Sequence, residues 1–470
     1  MMYKNPEWSY SAVLYELNVR QFTEEGTFRA ARRRLPFLRQ LGVDAIWLMP
    51  IYPIGVDGRK GSLGSYYSIR DYKAVNSEFG TESDLRDFIS AAHGLGMRIL
   101  LDWVANHTAR DARWIDERPM DWYERDDQGV ALVPWDWSDT AKLNYANHDV
   151  WRGQIEAMRY WVEEFGVDGF RCDMAMLVPI EFWQEVSSEL HRIKPDIFML
   201  AEAEEDNLFD GAFNMSYQWN IHHIMCDIAK GQRRVWDLRN AIHSERAKYP
   251  REAMRMSFTS NHDENSWSGS EYQRFGDSLR VMTALTFLMP STMPLIYCGQ
   301  EVGYDHSFEF FERDPIPESK YVEGDMTKLY KALTALKHAE SALMAGERGG
   351  ELIEIENNAK DCIITLVREV DGSRVVAILN LSPYTIHADF NTGIYAGKYR
   401  DAITAERVEL PTHVDRFLEP WQFQILVKLC YYYETNYNYY CSLCYGNRGC
   451  HGGDNSCCCS IKPTSEDQSC

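Results

Sequence analysis

Gly169-Phe170-Arg171-Cys172-Asp173 mixes two apolar residues with a full cation and a full anion. In extended backbone successive side chains point to opposite faces, so Arg171 and Asp173 share one face and Cys172 takes the other. Turning that pair of charges to the inside of a sheet is costly unless they are hydrated or paired. The stretch therefore reads as the end of a strand that carries a site, not as packing. Working outward, short apolar runs recur at 13–17, 45–49, 97–103, 197–202, weakly at 212–214, and at 256–260 and 294–297. With 169–173 they make eight. Between them lie helical patterns. Thr81-Glu82-Ser83-Asp84 reads as a capping box ahead of Leu85, Phe88, Ala92 and Leu95 on one face. Trp151, Ile155, Met158, Val162 and Phe165 repeat at helical spacing, and Gly166 stops that helix. Leu329, Leu333 and Leu336 mark the last one. Eight strands alternating with helices predict an α/β fold, a (β/α)8 TIM barrel, with a doubly wound open sheet as the alternative.

Two segments break the rhythm. Residues 108–145 are rich in Trp, Asp and Pro without a period, and an insertion after the third strand falls on the rim where the βα loops of a barrel emerge. After about 345 the period becomes two, with Asp371-Gly372 between two strand-like runs and Trp421, Phe423, Ile425 and Val427 sharing one face. The expected organisation is a barrel over 1–107 and 146–344, a rim insertion over 108–145, and a C-terminal antiparallel β-sandwich over 345–429. The remaining 430–470 holds eight of the twelve cysteines and almost no aliphatic residues, and reads as a disordered or non-native extension. Cys441, Cys444, Cys450 and His451 there are the alternative, a zinc set.

Composition narrows the function. Charged residues are 25% and hydrophobic ones 45%, an ordinary globular balance. No apolar run of about 18 residues predicts a membrane span. A net charge of −21 repels phosphate backbones and anionic headgroups, so neither nucleic acid nor membrane is an expected partner. The one dense basic run, Arg29 to Arg34, lies at helical spacing without interleaved aromatics and reads as a solvated helix face. The N-terminal sequence does not resemble a signal peptide, and four isolated cysteines in the body suit a reducing compartment. Cytoplasmic location is expected, with secretion or a periplasmic site the alternative if a leader precedes this chain. Oligomeric state is not legible.

Asp102, Asp173, Glu202 and Asp263 each end or follow a strand-like run, so a barrel would gather them at one rim. Several carboxylates, an arginine and histidines, with no thiol nucleophile and no phosphate loop, suit acid/base work on a neutral polar substrate. Glycoside hydrolysis needs one carboxyl kept protonated and one ionised beside the anomeric carbon. Trp135, Trp137, Tyr66 and Tyr67 would supply stacking faces for sugars.

The motifs Asp102-Trp-Val-Ala-Asn106-His107, Gly169 to Asp173, Glu202 within Leu-Ala-Glu-Ala, and Phe258-Thr-Ser-Asn261-His262-Asp263 resemble, in order and spacing, the signature regions of the α-amylase family of retaining glycoside hydrolases. The resemblance covers about 8–429. It implies Asp173 as nucleophile, Glu202 as general acid/base and Asp263 as the third carboxylate. Arg171 would keep Asp173 ionised. His107 and His262 would donate to the sugar, Asp102 and Asn106 would brace the floor, and Tyr67 would be a stacking platform. The implied substrates are starch-derived or malto-oligosaccharides. Transglycosylation or isomerisation by the same carboxylates is an alternative, as is a catalytically silent binding subunit. The chemistry requires no cofactor. Met176-Leu177 stand where many members have Lys-His, which puts an acceptor subsite and one ligand of the family's calcium site in question and leaves Asn106 as the candidate calcium ligand.

Overall fold

Eight short strands, all paired in parallel, close into a barrel in the computed structural model, which describes residues 3–429. They are β1 (Leu14–Leu17), β2 (Ala45–Leu48), β3 (Arg98–Val104), β4 (Gly169–Asp173), β5 (Phe198–Ala201), β6 (Met215–Tyr217), β7 (Met254–Ser257) and β8 (Thr292–Tyr297). Each neighbours the next and β8 closes on β1. Alternation divides every strand between two cores. Leu14, Trp47, Leu100, Leu200, Met215, Met256 and Leu295 fill the barrel. Tyr15, Ile46, Leu101, Cys172, Met199 and Ile296 face outward beneath the helices. Burial on both faces is why the strands read as apolar runs.

The principal helices are α1 (Phe28–Leu41), α2 (Glu82–Gly94), α3 (His148–Phe165), α4 (Ile180–Ile193), α5 (Trp219–Ala229), α6 (Val235–Lys248), α7 (Leu279–Leu288) and α8 (Asp325–Ala339). The capping box at α2 is formed: the Asp84 N–H donates to Thr81 Oγ1 and the Thr81 N–H to Asp84 Oδ2. Gly166 ends α3 with φ of 69°, a left-handed conformation that glycine adopts without a Cβ penalty. The basic run lies on α1, where Arg29, Arg32, Arg33 and Arg34 pair with Asp84, Asp87, Glu25 and Glu318. None of the helices among the described residues is long and apolar enough to cross a membrane.

The sixth strand is not at 212–214 but at Met215–Tyr217. Ala212 and Phe213 are buried in the outer layer, the Asn214 side chain accepts the Met199 N–H of β5 at 3.0 Å, and pairing with β7 starts with Met215 opposite Met254. Ser216 interrupts the apolar signal because its outward hydroxyl binds Arg255 on β7. The β5–β6 connection also departs from the repeat, with a single 3-10 turn, Asp206–Phe209, in place of a helix.

Within 108–145 a two-stranded ribbon, His107–Ala109 with Thr140–Lys142, carries its own small core of Trp122, Tyr123, Ala141 and Leu143. Beyond α8 the chain forms β9 (Glu351–Glu354), β10 (Ile363–Val370), β11 (Ser373–Asn380), β12 (Ile386–Asn391), β13 (Gly397–Asp401), β14 (Arg407–Leu410), β15 (His413–Leu418) and β16 (Phe423–Lys428). Six of them form one antiparallel sheet, and β12 with β15 forms a second across a shared core that includes Ile363, Val376, Phe390 and Val414. The other face of the large sheet, with Leu366, Val375 and Ile425, belongs to the core of the barrel layer. Asp371 and Gly372 both take positive φ between β10 and β11, as a tight hairpin requires. The stretch 430–470, with its candidate zinc set, lies outside the described residues.

One glycine fixes the approach of the strand that carries the site. A Cβ on Gly169 would lie 2.1 Å from the Phe198 carbonyl oxygen of β5. Gly94, at the end of α2, has nothing within 4 Å. Gly169→Ala is therefore expected to destabilise by about 1–3 kcal/mol through overpacking, whereas Gly94→Ala stabilises by up to about 1 kcal/mol through helix propensity. Urea unfolding midpoints of the two variants test the contrast.

Candidate active site

The C-terminal ends of the strands gather the charged residues because β3 and β4 are paired with Asp102 opposite Arg171 and Val104 opposite Asp173. Arg171 is the centre of the cluster and is wholly buried. Its Nη1 donates to Asp102 Oδ1 and to Asp173 Oδ1, both at 3.0 Å, and its Nη2 lies 2.7 Å from Glu202 Oε2. Its Nε donates to the Tyr217 hydroxyl at 3.0 Å, and the Trp47 and Tyr217 rings flank the guanidinium. Asp102 in turn accepts from the Trp47 indole and from the Tyr67 hydroxyl. One cation thus holds three carboxyls at the floor of a cleft.

Glu202 follows β5 directly, and its Oε2 accepts the Met174 N–H at 2.8 Å. That N–H is aimed by a left-handed backbone at Met174, φ 42°, a conformation unfavourable for a side chain with a Cβ and typical of functional sites. Asp263 is the second residue of a short helix, His262–Trp267, capped by the Asn261 side chain, and is the most open of the acids. Asp173, Glu202 and Asp263 line one cleft of about 340 Å³ together with Tyr67, His107 and His262.

The two histidines are held in opposite states. Burial pushes His107 down to about 4, which leaves it neutral over the working range. Burial also opposes charge on His262, but Asp263 and Glu16 overcome it and hold it up at about 9. His262 Nδ1 is 2.5 Å from Glu16 Oε1, and its Nε2 is 2.7 Å from the Tyr67 hydroxyl and 3.2 Å from Asp263 Oδ2. As an imidazolium it donates on both sides, and the Tyr67 hydroxyl in turn donates to Asp102 Oδ2 at 3.1 Å. Burial raises the carboxyls of Asp173, Asp102 and Glu202, with Arg171 pulling each back. Two cations, Arg171 and His262, face the acids Glu16, Asp102, Asp173, Glu202 and Asp263. The acids outnumber them, and repulsion among the carboxylates adds to burial in raising Asp173 and Glu202.

Aromatic residues build the walls. Tyr67 stacks near His262 and Phe310, Trp267 packs on Phe310 and Phe311, and His107 abuts Trp137, which carries Trp135 behind it. Tyr66 is not among them, contrary to the sequence reading. It is buried with Arg20 over its ring and meets Phe310 edge-on, and it does not line the cleft. Glu16, Trp47, Tyr217, Met174, Trp267, Phe310 and Phe311 were not foreseen. Only Glu16 left a trace in the sequence, as an acid interrupting the first apolar run.

Asn106, the candidate calcium ligand, is buried beside His107. Calcium takes six to eight oxygens, whereas the Asn106 amide nitrogen meets His107 Nδ1 at 3.2 Å and its main-chain carbonyl accepts the Leu143 N–H. Among the described residues no group of three or more His, Cys, Asp or Glu side chains could hold an ion. Prolonged EDTA treatment is accordingly expected to leave the melting temperature within about 1 °C, about the shift of a few tenths of a kcal/mol; a large chelator-dependent fall would contradict it.

The Glu16–His262 pair gives a pH-dependent expectation. A histidine raised in the folded state contributes stability that is fully present below about 6.5 and is lost as the pH rises through about 9. In Glu16→Gln the hydrogen bond can persist but the charge is gone, so the His262 imidazole should titrate about one unit lower or more. Ring carbon and nitrogen shifts of His262 measured across pH 5–10 check this, and an unchanged titration would refute the role given to Glu16.

Comparison with known proteins follows the same outline. The family model "Alpha amylase, catalytic domain" matches residues 17–138 and 121–335. The chain is 28% identical over 422 residues to the alpha-amylase MalA of Haloarcula japonica, a match covering 85% of this chain and 60% of that longer relative. It is 25% identical over 429 residues to an intracellular maltogenic amylase of Bacillus subtilis, covering 80% of this chain and 70% of the other. Among solved structures it is similar to the maltogenic alpha-amylase AmyB of Thermotoga neapolitana, with a TM-score of 0.81, 27% identity and coverage of 90% and 99%. An alpha-amylase of Lactobacillus plantarum gives 0.79, 27%, 90% and 100%. A barrel with its acids at the strand ends, matched over most of its length by the catalytic-domain model, belongs to the alpha-amylase family.

Proposed function

We propose that this protein is a retaining α-glycosidase that cleaves α-glucosidic bonds in starch-derived or malto-oligosaccharides. The observation that carries the reading is the single guanidinium of Arg171, which holds Asp173 and Glu202 side by side at one wall of a cleft that Asp263 also lines. Asp173 is the nucleophile. Positive charge developing at the anomeric carbon favours the ionised form of the carboxyl beneath it, and Arg171 at 3.0 Å supports that form against burial. Glu202 is the acid/base. Its Oε2 is fixed by Met174 and Arg171, which leaves Oε1 to carry a proton to the leaving oxygen. The glycosidic C–O bond breaks as the Asp173 oxygen bonds C1. Water, deprotonated by Glu202, then displaces Asp173 with net retention. Asp263, His262 and neutral His107 grip the hydroxyls, and Tyr67, Trp137, Trp267 and Phe310 offer faces to the ring.

Sugar resolving the intermediate in place of water is the second reading, favoured by the aromatic density of the rim, which would hold an acceptor. The working division is a barrel over 1–107 and 146–344, the rim insertion over 108–145 and the sandwich over 345–429. A cytoplasmic setting is supported by the free thiols Cys172, Cys226, Cys298 and Cys362 and by similarity to a relative described as intracellular. Imported oligosaccharides then suit the cleft better than granular starch.

Asp173→Asn should lower kcat on a maltooligosaccharide by about four orders of magnitude while leaving the circular dichroism spectrum and melting temperature near wild type. Proton NMR of the first-formed product should show the α-anomer. An initially β product, or near-normal turnover in folded Asp173→Asn, would overturn the mechanism. Products from maltopentaose, compared with sucrose and trehalose, separate hydrolysis from transfer and isomerisation.

A further inference from the structure

The end of the barrel opposite the cleft holds a second cavity, of about 250 Å³, between α6, the segments entering β7 and β8, and the strands β9 and β10. Its walls carry four guanidinium groups, those of Arg246, Arg251, Arg255 and Arg368, against two carboxylates, those of Glu245 and Glu351. In a chain of net charge −21 this is a local reversal of sign. Glu351 is shared by Arg246 and Arg251. Arg255 is matched by Glu245 and, from behind the wall, by Glu204. Among the described residues Arg368 has no carboxylate within bonding distance. It is wholly buried, and its partners are the main-chain carbonyls of Gly350, Leu288 and Met289 at 2.7–2.8 Å. Burial pushes its guanidinium down to about 9, the sign of a cation short of compensation. Arg368 Nη2 and Arg255 Nε are buried donors with no hydrogen-bond partner among the described residues, on two side chains that line the cavity. Buried charges are ordinarily paired, and orphaned buried donors beside a cavity point to a group that accepts from them. Gly349 also lines the cavity, and a Cβ there would lie 2.0 Å from the Met344 carbonyl oxygen and 2.9 Å from Arg368 Nη2.

We propose that this cavity binds a dianionic tetrahedral oxyanion, either inorganic or the phosphate of a small sugar ester, between Arg246 and Arg251 at its mouth and Arg255 and Arg368 at its base. Planar guanidinium groups present paired N–H donors that match such oxygens. Bound there, the anion would tie α6 of the barrel to β9 and β10 of the C-terminal sheet, at a distance from the cleft and independently of the reaction proposed for it.

The test uses the full chain. Melting temperature is measured in inorganic phosphate, in sulfate, in glucose 1-phosphate, and in sodium chloride at matched ionic strength. Phosphate is expected to raise it saturably, by about 3 °C at a hundredfold excess over Kd, and the Arg246→Gln/Arg251→Gln double variant, altered only at the solvent-exposed mouth, to lose most of that rise. A larger effect of the sugar ester assigns the site to sugar phosphates, and an equal effect to the free ion; both support it. Should the double variant fail to fold, Arg251→Gln alone is compared, and saturable broadening of the phosphate ³¹P line by the wild-type protein is required. Equal melting temperatures in phosphate and chloride, no broadening, or an undiminished shift in a folded variant would overturn the proposal.

Discussion

The structure depends on one buried cation. Arg171 stands wholly buried inside the barrel, and such a charge is tolerated only where anions and oriented hydrogen bonds replace the lost hydration. Three carboxyls, the Tyr217 hydroxyl and the rings of Trp47, Tyr67 and Tyr217 do so here. The same contacts gather acids that would repel one another if brought together alone. The floor of the cleft is therefore a set of mutually dependent ionisations. Its acids sit above their ordinary range because burial and repulsion outweigh what one guanidinium returns. That is the condition under which a carboxyl can hold a proton for delivery at neutral pH.

Backbone conformations complete what the charges begin. The left-handed turn at Met174 directs an N–H at Glu202 and so fixes which of its oxygens faces the cleft. The helix cap at Asn261 sets His262 and Asp263 at the opposite side. Glu16, far from it in sequence order, reaches His262 because β1 lies beside β8, which in turn lies beside β7, in the closed ring. Neutral His107 and charged His262 then stand on either side of the same space, one able to accept or donate, the other a permanent donor below about 9.

Much of this was legible in the linear chain. Eight apolar runs, the capping box at Thr81 and the stop at Gly166 located the barrel elements. The parity of Arg171 and Asp173 against Cys172 placed the two charges inside and the thiol under the helices. The failures have physical causes. The sixth strand was missed by three residues because Ser216 hydrogen-bonds outward where an apolar side chain was expected. Tyr66 and Tyr67 are adjacent, and neighbouring residues in a loop face different surroundings, so composition could not tell the wall residue from the buried one.

The sequence by itself determined the periodicities, and with them the order of strands and helices, the end of the barrel at which the acids collect and the switch to a two-residue period after 345. These follow from local geometry, in which each residue's direction depends on its immediate neighbours. Only the tertiary structure decided which distant groups share a field. Glu16 with His262, one guanidinium divided among Asp102, Asp173 and Glu202, Phe310 across from Tyr67, and Arg368 set near Arg255 are pairings between separate strands and loops. Proton affinities and binding surfaces depend on burial and on separations of a few ångströms through space, and spacing along the chain does not encode either.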